Sequence, residues 1–282
     1  MRVLVTGAGG LLGTAVTREF ARDNDVQPFD HAGLDVASDE AVPAAIRDVR
    51  PDVVVNCAAY NDVDGAELDA VTALRVNAFG VLNLSRACRE AGPTLVHYST
   101  DFVFDGQQER PYTEEDPPNP KGVYAASKLL GDWFALEHAR AYVLRVESLF
   151  GDAGARGGRL GSVATIVNRI RAGDEVPLFT DRTASPSYTA DVVRATRALL
   201  DTQAAPGLYH CVNTGAATWP EIASEAARLL GMALRIKPIT LESARLRAPR
   251  PRYCALSNAK LASAGVVMAP WQDALRRWLH RG

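Results

Sequence analysis

The chain has 282 residues, of which 47% are hydrophobic and 23% are charged, so it can bury a large core in one elaborated domain or two closely joined ones. Its 31 basic and 33 acidic residues give a net charge of −2, which provides no overall field for nucleic acid or an anionic membrane. Because the sequence shows neither a signal-peptide pattern nor a run of about 18 apolar residues, we expect a cytoplasmic protein without membrane partners.

The cysteines and histidines are widely dispersed along the chain. Their spacing is typical neither of a disulfide framework nor of a zinc site. We therefore predict no metal site. We expect the four cysteines to be buried thiols: Cys57, Cys88, Cys211 and Cys254.

Short apolar segments alternate with helix-forming segments over the first half of the chain. The predicted strands cover residues 2–6, 26–30, 52–56, 94–99 and 141–146. The predicted helices cover residues 11–23, 38–49, 66–91 and 123–139. Because each parallel crossover is usually helical, this alternation predicts a doubly wound parallel α/β sheet of the Rossmann type. Such sheets bind their ligands at the carboxyl ends of the strands.

A glycine-rich turn separates the first predicted strand from the first predicted helix. Gly7, Gly10 and Gly13 allow a sharp turn, a close approach to a diphosphate, and tight packing of the helix on the sheet. The N–H groups of the first helical turn, at Leu11 and Leu12, would point at the phosphates. The turn therefore predicts a dinucleotide site, although a glycine cluster alone is weak evidence.

Two acids follow the second predicted strand, where the adenosine half of a dinucleotide would lie. Asp30 is about 20 residues beyond the glycine turn and can accept hydrogen bonds from the ribose hydroxyls, which favours NAD over NADP. The neighbouring His31 could instead tolerate a 2′-phosphate, and a solvated loop acid is the alternative. Asp35 and Val36 could flank the adenine.

Tyr124 and Lys128 lie four residues apart at the start of a predicted helix, so their side chains project from one side. An ammonium group near a phenol lowers the phenol's pKa, which lets the tyrosine exchange a proton near neutral pH. A strand-end hydroxyl, Thr100 or Ser99, could hold a carbonyl oxygen as hydride reaches its carbon. A surface tyrosine beside a solvated lysine is the alternative.

Residues 101–121 join the fourth strand to this helix as a long loop with four prolines. Loops of this length are usually functional or disordered. Phe102 and Phe104 are too apolar to be left in water, so we expect an ordered wall over the ligand site.

The second half of the chain alternates less regularly. Helices are predicted over residues 160–172, 189–201, 218–230 and 270–280, with a strand over 207–212. We divide the chain into a dinucleotide-binding domain, 1–150, and a smaller α/β substrate region, 151–282, some of whose elements return to the first sheet. Thr218 and Glu221 predict a helix start. The apolar residues near the C-terminus have helical spacing and predict core packing: Trp271, Leu275, Trp278 and Leu279.

These motifs together resemble the extended branch of the short-chain dehydrogenase/reductase superfamily. Residues 6–13 resemble its Thr-Gly-x-x-Gly-x-x-Gly turn, Ser99-Thr100 its catalytic hydroxyl strand, and Tyr124 to Lys128 its Tyr-x-x-x-Lys helix. Asn77 is similar to the asparagine with which the superfamily holds a proton-relay water. By analogy with the superfamily, a homodimer formed through helices is possible.

Several stretches resemble the dTDP-4-dehydrorhamnose reductase family in particular. They are residues 50–60, 63–67, 97–106, 185–191, 250–251 and 270–271. This resemblance implies reduction of the C4 keto group of a dTDP-activated 6-deoxysugar by NADPH or NADH, with Thr100, Tyr124 and Lys128 as the catalytic residues. The further implied cofactor residues are Cys57, Ala58, Ala59, Tyr60 and Asn77. The implied substrate residues are Asp101, Phe102, Ser148 and Arg250.

Two departures from this family concern the sugar pocket. Ser148 replaces a substrate-side tryptophan, and Phe102 replaces a common tyrosine. Arg156 and Arg159 in the glycine-rich segment 151–161 could reach a substrate diphosphate, or could simply be exposed. The same two interpretations apply to the only basic cluster, which comprises Arg245, Arg247, Arg250 and Arg252.

Other functions on the same scaffold stay open. A nucleotide-sugar epimerase is hard to exclude from sequence. A 4,6-dehydratase would have a second acid directly after Asp101, where this chain has Phe102. A non-catalytic, cofactor-binding regulatory subunit is the alternative from another class. The retained Thr100, Tyr124 and Lys128 argue against it.

Overall fold

The protein is described by a computed structural model for residues 1–152 and 161–280. Its strands within these residues are β1 (Arg2–Thr6), β2 (Asp25–Phe29), β3 (Val53–Asn56), β4 (Thr94–Thr100), β5 (Ala141–Val146), β6 (Leu149–Phe150), β7 (Val176–Phe179), β8 (Thr183–Ala184), β9 (Ser187–Tyr188), β10 (Gly207–His210), β11 (Ala217–Thr218) and β12 (Ile236–Ile239). Its helices there are α1 (Leu11–Phe20), α2 (Ala41–Val49), α3 (Val63–Ala66), α4 (Ala70–Leu74), α5 (Gly80–Ala91), α6 (Val123–Leu136), α7 (Ser162–Ala172), α8 (Thr189–Asp201), α9 (Trp219–Leu230), α10 (Leu241–Ala244), α11 (Ala259–Ser263) and α12 (Trp271–Leu279).

A six-stranded parallel sheet forms the centre of the fold, in the order β10-β5-β4-β3-β1-β2. Every residue of β3, β4 and β5 is buried, as expected for strands covered on both faces. The prediction of a doubly wound parallel sheet is confirmed. The last strand, β10, comes from the second half of the chain and pairs with β5. The division of the chain at residue 150 stays a prediction.

The helix predicted over residues 66–91 is correct from Ala70 to Ala91, but it starts too early and misses a π-helical turn. The structure has α3, α4, a π-helical turn at Arg75–Phe79, and then α5. The side chains of Asp62 and Asp69 accept hydrogen bonds from the N–H groups of Gly65 and Thr72, and so start α3 and α4 as separate helices. The helical periodicity continues through these interruptions, which explains why the sequence suggests one helix.

The helices predicted in the second half are present as α7, α8, α9 and α12. The Thr218 and Glu221 capping box opens α9. A parallel pair, β7 with β12, was not predicted. Each of these strands contains a proline, and prolines weaken the sequence pattern of a strand.

A second hydrophobic core lies among α7, α9, α12 and the short strands. Trp271, Leu275 and Leu279 are buried in it, as predicted, and the partly buried Trp278 packs against Phe150. The prediction for the cysteines is wrong at Cys57, which directly follows β3 and is only half-buried. In the described residues, no helix combines the length and apolarity needed to cross a bilayer.

Candidate active site

The glycine turn lies between β1 and α1 and leaves no room for side chains. Gly7 has a φ of +64°, and a Cβ there would be 2.6 Å from the Ala58 nitrogen. A Cβ on Gly13 would be 2.2 Å from the Gly7 carbonyl oxygen. The sequence therefore needs glycine at both positions to bring α1 this close to the ends of β1 and β3.

The N-terminus of α1 opens at this turn. Its N-cap residue is Gly10, which has no side chain to cap the first N–H groups. The helix begins with the half-buried Leu11 and the buried Leu12, which anchor its first turn in the core. Free N–H groups and the positive end of the helix dipole are suited to a diphosphate.

The residues predicted for the adenosine half follow β2 beside the glycine turn. Ala8 donates its N–H to the carbonyl of Phe29, 3.0 Å away, which brings the turn against the end of β2. The Asp30 carboxylate accepts a hydrogen bond from the N–H of Gly33 at 3.0 Å. Val36 is buried, whereas His31 is exposed. Asp35 accepts from the N–H of Ala37 at 3.0 Å and holds the next loop.

A buried hydrogen-bond network joins the ends of β1, β3 and β4. Thr6 donates its hydroxyl hydrogen to the Asn56 side-chain oxygen at 2.6 Å, and the N–H of Ala58 donates to the same oxygen at 3.1 Å. The Asn56 amide nitrogen lies 3.0 Å from Nδ1 of His97. This network holds the segment with Cys57, Ala58 and the exposed Ala59 against the glycine turn.

Asn77 lies in the π-helical turn and is completely buried. Its side-chain oxygen accepts from the N–H of Tyr60 at 2.9 Å. Its amide nitrogen donates to the Tyr60 carbonyl and to the Ser127 hydroxyl, each at 3.0 Å. Asn77 therefore ties the segment after β3 to α6, which carries Tyr124 and Lys128.

Thr100 and Tyr124 meet at the carboxyl edge of β4. The Thr100 hydroxyl is close enough to the Tyr124 phenol to influence its pKa, and it donates to Oδ1 of Asp101 at 3.0 Å. The ring of Phe102 packs edge-on against the Tyr124 ring, with centroids 5.8 Å apart. The structure thus brings together the predicted hydroxyl pair and two of the predicted substrate residues.

Lys128 is buried one helical turn after Tyr124. Its Nζ donates to the carbonyl of Tyr98 at 2.7 Å and lies 3.5 Å from Nε2 of His97. Burial lowers its pKa to about 8, although the negative charge of Asp132 opposes this shift. The amine is also close enough to Cys57, beside the glycine turn, to interact with it electrostatically.

The expected lowering of the Tyr124 pKa by Lys128 is wrong for this structure. Burial raises the pKa of Tyr124 to about 12, and the negative charges of Asp101 and Asp132 add to the rise, while the nearby Thr100 hydroxyl opposes it. The Lys128 amine points instead to the backbone of β4. The phenol is therefore a protonated group that can give up its hydrogen.

Of the remaining predicted substrate residues, Arg250 lies beside Phe102. Arg250 pairs with Asp64 at 2.8 Å, and its guanidinium group lies 5.9 Å from the Phe102 ring centroid. Ser148 follows β5 with a left-handed backbone, at a φ of 45°. Arg156 and Arg159 lie outside the described residues. Arg245, Arg247 and Arg252 are exposed.

Sequence comparison now decides the family. The model of the RmlD substrate binding domain matches residues 1–282. The chain belongs to this family. A dTDP-4-dehydrorhamnose reductase from Streptomyces griseus is 36% identical over 285 residues, covering 98% of this chain and 90% of the relative. A probable dTDP-4,6-dihydroxy-2-methyloxan-3-one 4-ketoreductase from Streptomyces antibioticus is 37% identical over 281 residues, covering 98% and 94%.

A solved structure of the same family has the same fold. The crystal structure of dTDP-4-dehydrorhamnose reductase from Bacillus anthracis in complex with NADP gives a TM-score of 0.93 at 32% identity. The alignment covers 100% of this chain and 99% of that chain. The Rossmann-type sheet and the family suggested by the sequence motifs are therefore both confirmed.

Sequence reasoning missed a buried group of polar side chains behind Thr100. Carboxylate oxygens of Asp101 and Glu147 and the sulfur of Cys254 all lie within 4.8 Å of one another. Arg182 lies beside them and donates to the Cys254 sulfur at 3.4 Å. Spacing along the chain does not reveal this group, because its residues come from distant parts of the chain. The sequence signal that could have indicated Glu147 is its position directly after a fully buried strand.

Proposed function

We propose that this chain reduces the 4-keto group of a dTDP-activated 6-deoxysugar. The observation that carries this proposal is the meeting of the Thr100 hydroxyl and the Tyr124 phenol at the end of β4, with Lys128 one helical turn away and close to the glycine turn. The names of family members at 36% and 37% identity support the same reaction.

The proposed cofactor is NADPH or NADH, which supplies a hydride when it is bound. The residues present fit such a dinucleotide, because Gly7 and Gly13, which have no room for a Cβ, hold the turn close to β3 and α1, and Gly10 leaves the N-terminus of α1 without a side-chain cap. Asp30, at the end of β2, can accept hydrogen bonds from the ribose hydroxyls, which favours NADH as the cofactor. The NADP complex of the Bacillus anthracis relative supports NADPH. Comparing the KM for the two dinucleotides tests this choice.

Tyr124 is the proposed proton donor to the substrate oxygen. Its pKa is raised to about 12, so the phenol is protonated at neutral pH and can donate to an oxygen that gains negative charge. Thr100 offers a second hydroxyl to the same oxygen. Lys128, whose amine turns to the Tyr98 carbonyl, is proposed to supply a buried positive charge beside the bound dinucleotide when it is protonated.

The sugar nucleotide is proposed to lie against Phe102. The guanidinium group of Arg250 lies 5.9 Å from this ring centroid, and we propose that it adds positive charge for a diphosphate. Ser148 lies at the end of β5, where the family usually has a tryptophan. We propose that this smaller residue widens the sugar pocket.

The test uses a freshly generated dTDP-4-keto-6-deoxysugar with NADPH or NADH. The absorbance band of the reduced nicotinamide should fall with wild-type protein. The Tyr124→Phe variant should lose at least about 100-fold in turnover, because a general acid contributes about 10²–10⁴-fold. Its NADPH affinity, measured by fluorescence, should stay close to that of wild type. Tight cofactor binding without turnover on any keto-sugar nucleotide would instead favour the regulatory subunit.

A cytoplasmic homodimer completes the proposal. Phe79 and Trp133 are 50% and 55% exposed, and the elements that carry them pack against each other. Such large apolar side chains are suited to contact a second copy. Sedimentation of wild type and of Trp133→Glu tests this, and the variant should shift to monomer if these residues form the interface.

A further inference from the structure

Two buried carboxyl groups meet behind the Thr100 hydroxyl. Asp101 is 5% exposed and Glu147 is 2% exposed. Neither Oδ2 of Asp101 nor Oε1 of Glu147 has a hydrogen-bond partner, although carboxylate oxygens of the two residues lie within 4.8 Å of each other. If both were ionised, two adjacent buried carboxylates would repel each other strongly, and a single proton shared by the pair removes this repulsion.

The surroundings of the pair do not neutralise two negative charges. The charged and titratable groups that face it are Arg182, Cys254, Tyr124 and Tyr253. Of these, only Arg182 carries a positive charge, and its guanidinium group donates to the Pro251 carbonyl and the Cys254 sulfur. A proton fits this place better than a divalent metal ion, because the guanidinium group would repel the ion.

Glu147 is held in a fixed position. Its Oε2 accepts the N–H of Ser185 at 2.7 Å, which leaves Oε1 as the oxygen without a partner. Burial raises the pKa of Glu147 well above its ordinary value, and the nearby Asp101 charge adds to the rise. Burial also raises the pKa of Asp101 to about 6. Both shifts favour one retained proton near neutral pH.

We infer that Glu147 is a positioning residue that shares one proton with Asp101 and thereby controls the direction of the Thr100 hydroxyl. This inference rests on the proposed function. Thr100 has one hydroxyl hydrogen, which an ionised Asp101 holds at Oδ1. When the proton moves from Oε1 of Glu147 to Oδ2 of Asp101, the negative charge moves to Glu147. Asp101 then becomes a weaker acceptor, and the Thr100 hydrogen is released toward Tyr124 and the substrate oxygen.

The Glu147→Gln variant tests this inference. Its amide has no proton to transfer and can donate to Oδ2 of Asp101, which keeps Asp101 ionised. We expect kcat to fall by about tenfold or more near neutral pH with little change in the KM for NADPH, as for a lost transition-state hydrogen bond. Lowering the pH through the Asp101 pKa should restore part of the rate. Asp101→Asn, which is neutral at every pH, should remove the pH dependence that the pair imparts.

A second readout does not need turnover. Infrared spectra near neutral pH should show the C=O stretch of a protonated carboxyl group in wild type, and this band should be absent in Glu147→Gln. Glu115→Gln, which changes an exposed acid, is the matched control and should keep both the band and the pH profile. Circular dichroism melts establish that each variant is folded.

The outcomes separate this inference from the proposed function. If no keto-sugar nucleotide turns over but the band follows Glu147, the proposed reaction is wrong and the shared proton stands. If wild type lacks the band, the inference is overturned. It is also overturned if the pH profile of Glu147→Gln superimposes on that of wild type.

Discussion

Replacing Gly13 with alanine tests the dinucleotide site most directly. The new Cβ would lie 2.2 Å from the Gly7 carbonyl oxygen, 2.8 Å from the Gly7 carbonyl carbon and 2.9 Å from the Ala8 Cα. An ordinary contact needs 3.4 Å, so the turn and α1 must separate by about 1.2 Å. A displacement of about 1 Å in a site can lower a reaction rate by about 100-fold. By the same geometric sensitivity, we expect NADPH affinity to fall by about 10- to 100-fold, which is about 1.4–2.8 kcal/mol of binding free energy.

The same substitution has two opposing effects on stability. Overpacking costs about 1–3 kcal/mol, whereas alanine favours a helix over glycine by about 1 kcal/mol. Fluorescence titration with NADPH and urea unfolding would measure the two quantities separately. Gly92→Ala is the control, since Gly92 has a φ of +96° but no atom within 4 Å of an added Cβ. It should lose stability and keep its affinity. Affinity within twofold of wild type in Gly13→Ala would refute the proposed location of the diphosphate.

Three further predictions concern the site and its support. Thr100→Val should lower kcat/KM by about 100-fold with unchanged NADPH affinity in a fluorescence titration, because it removes a hydroxyl donor to the reacting oxygen. Asp132→Asn should lose about 3–5 kcal/mol of unfolding free energy in urea, because it leaves the buried Arg145 without its charged partner. As a control, Asp25→Asn, which breaks the exposed pair of Asp25 with Arg2, should have little effect. Burial, with a contribution from Arg145, lowers the pKa of His210 to about 3, so its stabilising contribution is complete above about pH 6.5 and is lost as the pH falls. Between pH 6.5 and 5, wild type should therefore lose about 2 kcal/mol more than His210→Gln, and equal losses in urea titrations would contradict this account.

The predictions that succeeded depend on local patterns. Alternating apolar strands and amphipathic helices are visible in short windows, and so are Gly7 and Gly13 at the first turn. The start of the helix predicted over residues 66–91 was wrong because Asp69 caps a new helix within a periodicity that otherwise continues. The direction of the Tyr124 pKa shift was wrong because helical spacing predicts that Lys128 is on the same side, but not that its amine turns to Tyr98.

Glu147, the second acid behind Thr100, could not be predicted from residue spacing along the chain. In the sequence, the residue directly after Asp101 is not an acid. In the folded chain, however, Glu147 lies beside Asp101. The two residues follow neighbouring strands, β4 and β5, whose pairing places their carboxyl ends together. The contact therefore depends on strand order rather than on distance along the chain.

By itself, the sequence determined the parallel α/β architecture, the dinucleotide turn and the family motifs, because each depends on residues close together in the chain. Only the tertiary structure decided which polar groups are buried together and which way their hydrogens can point. These properties depend on desolvation and on contacts between distant segments, which arise only when the sheet assembles and brings the ends of β1, β3, β4 and β5 to one edge.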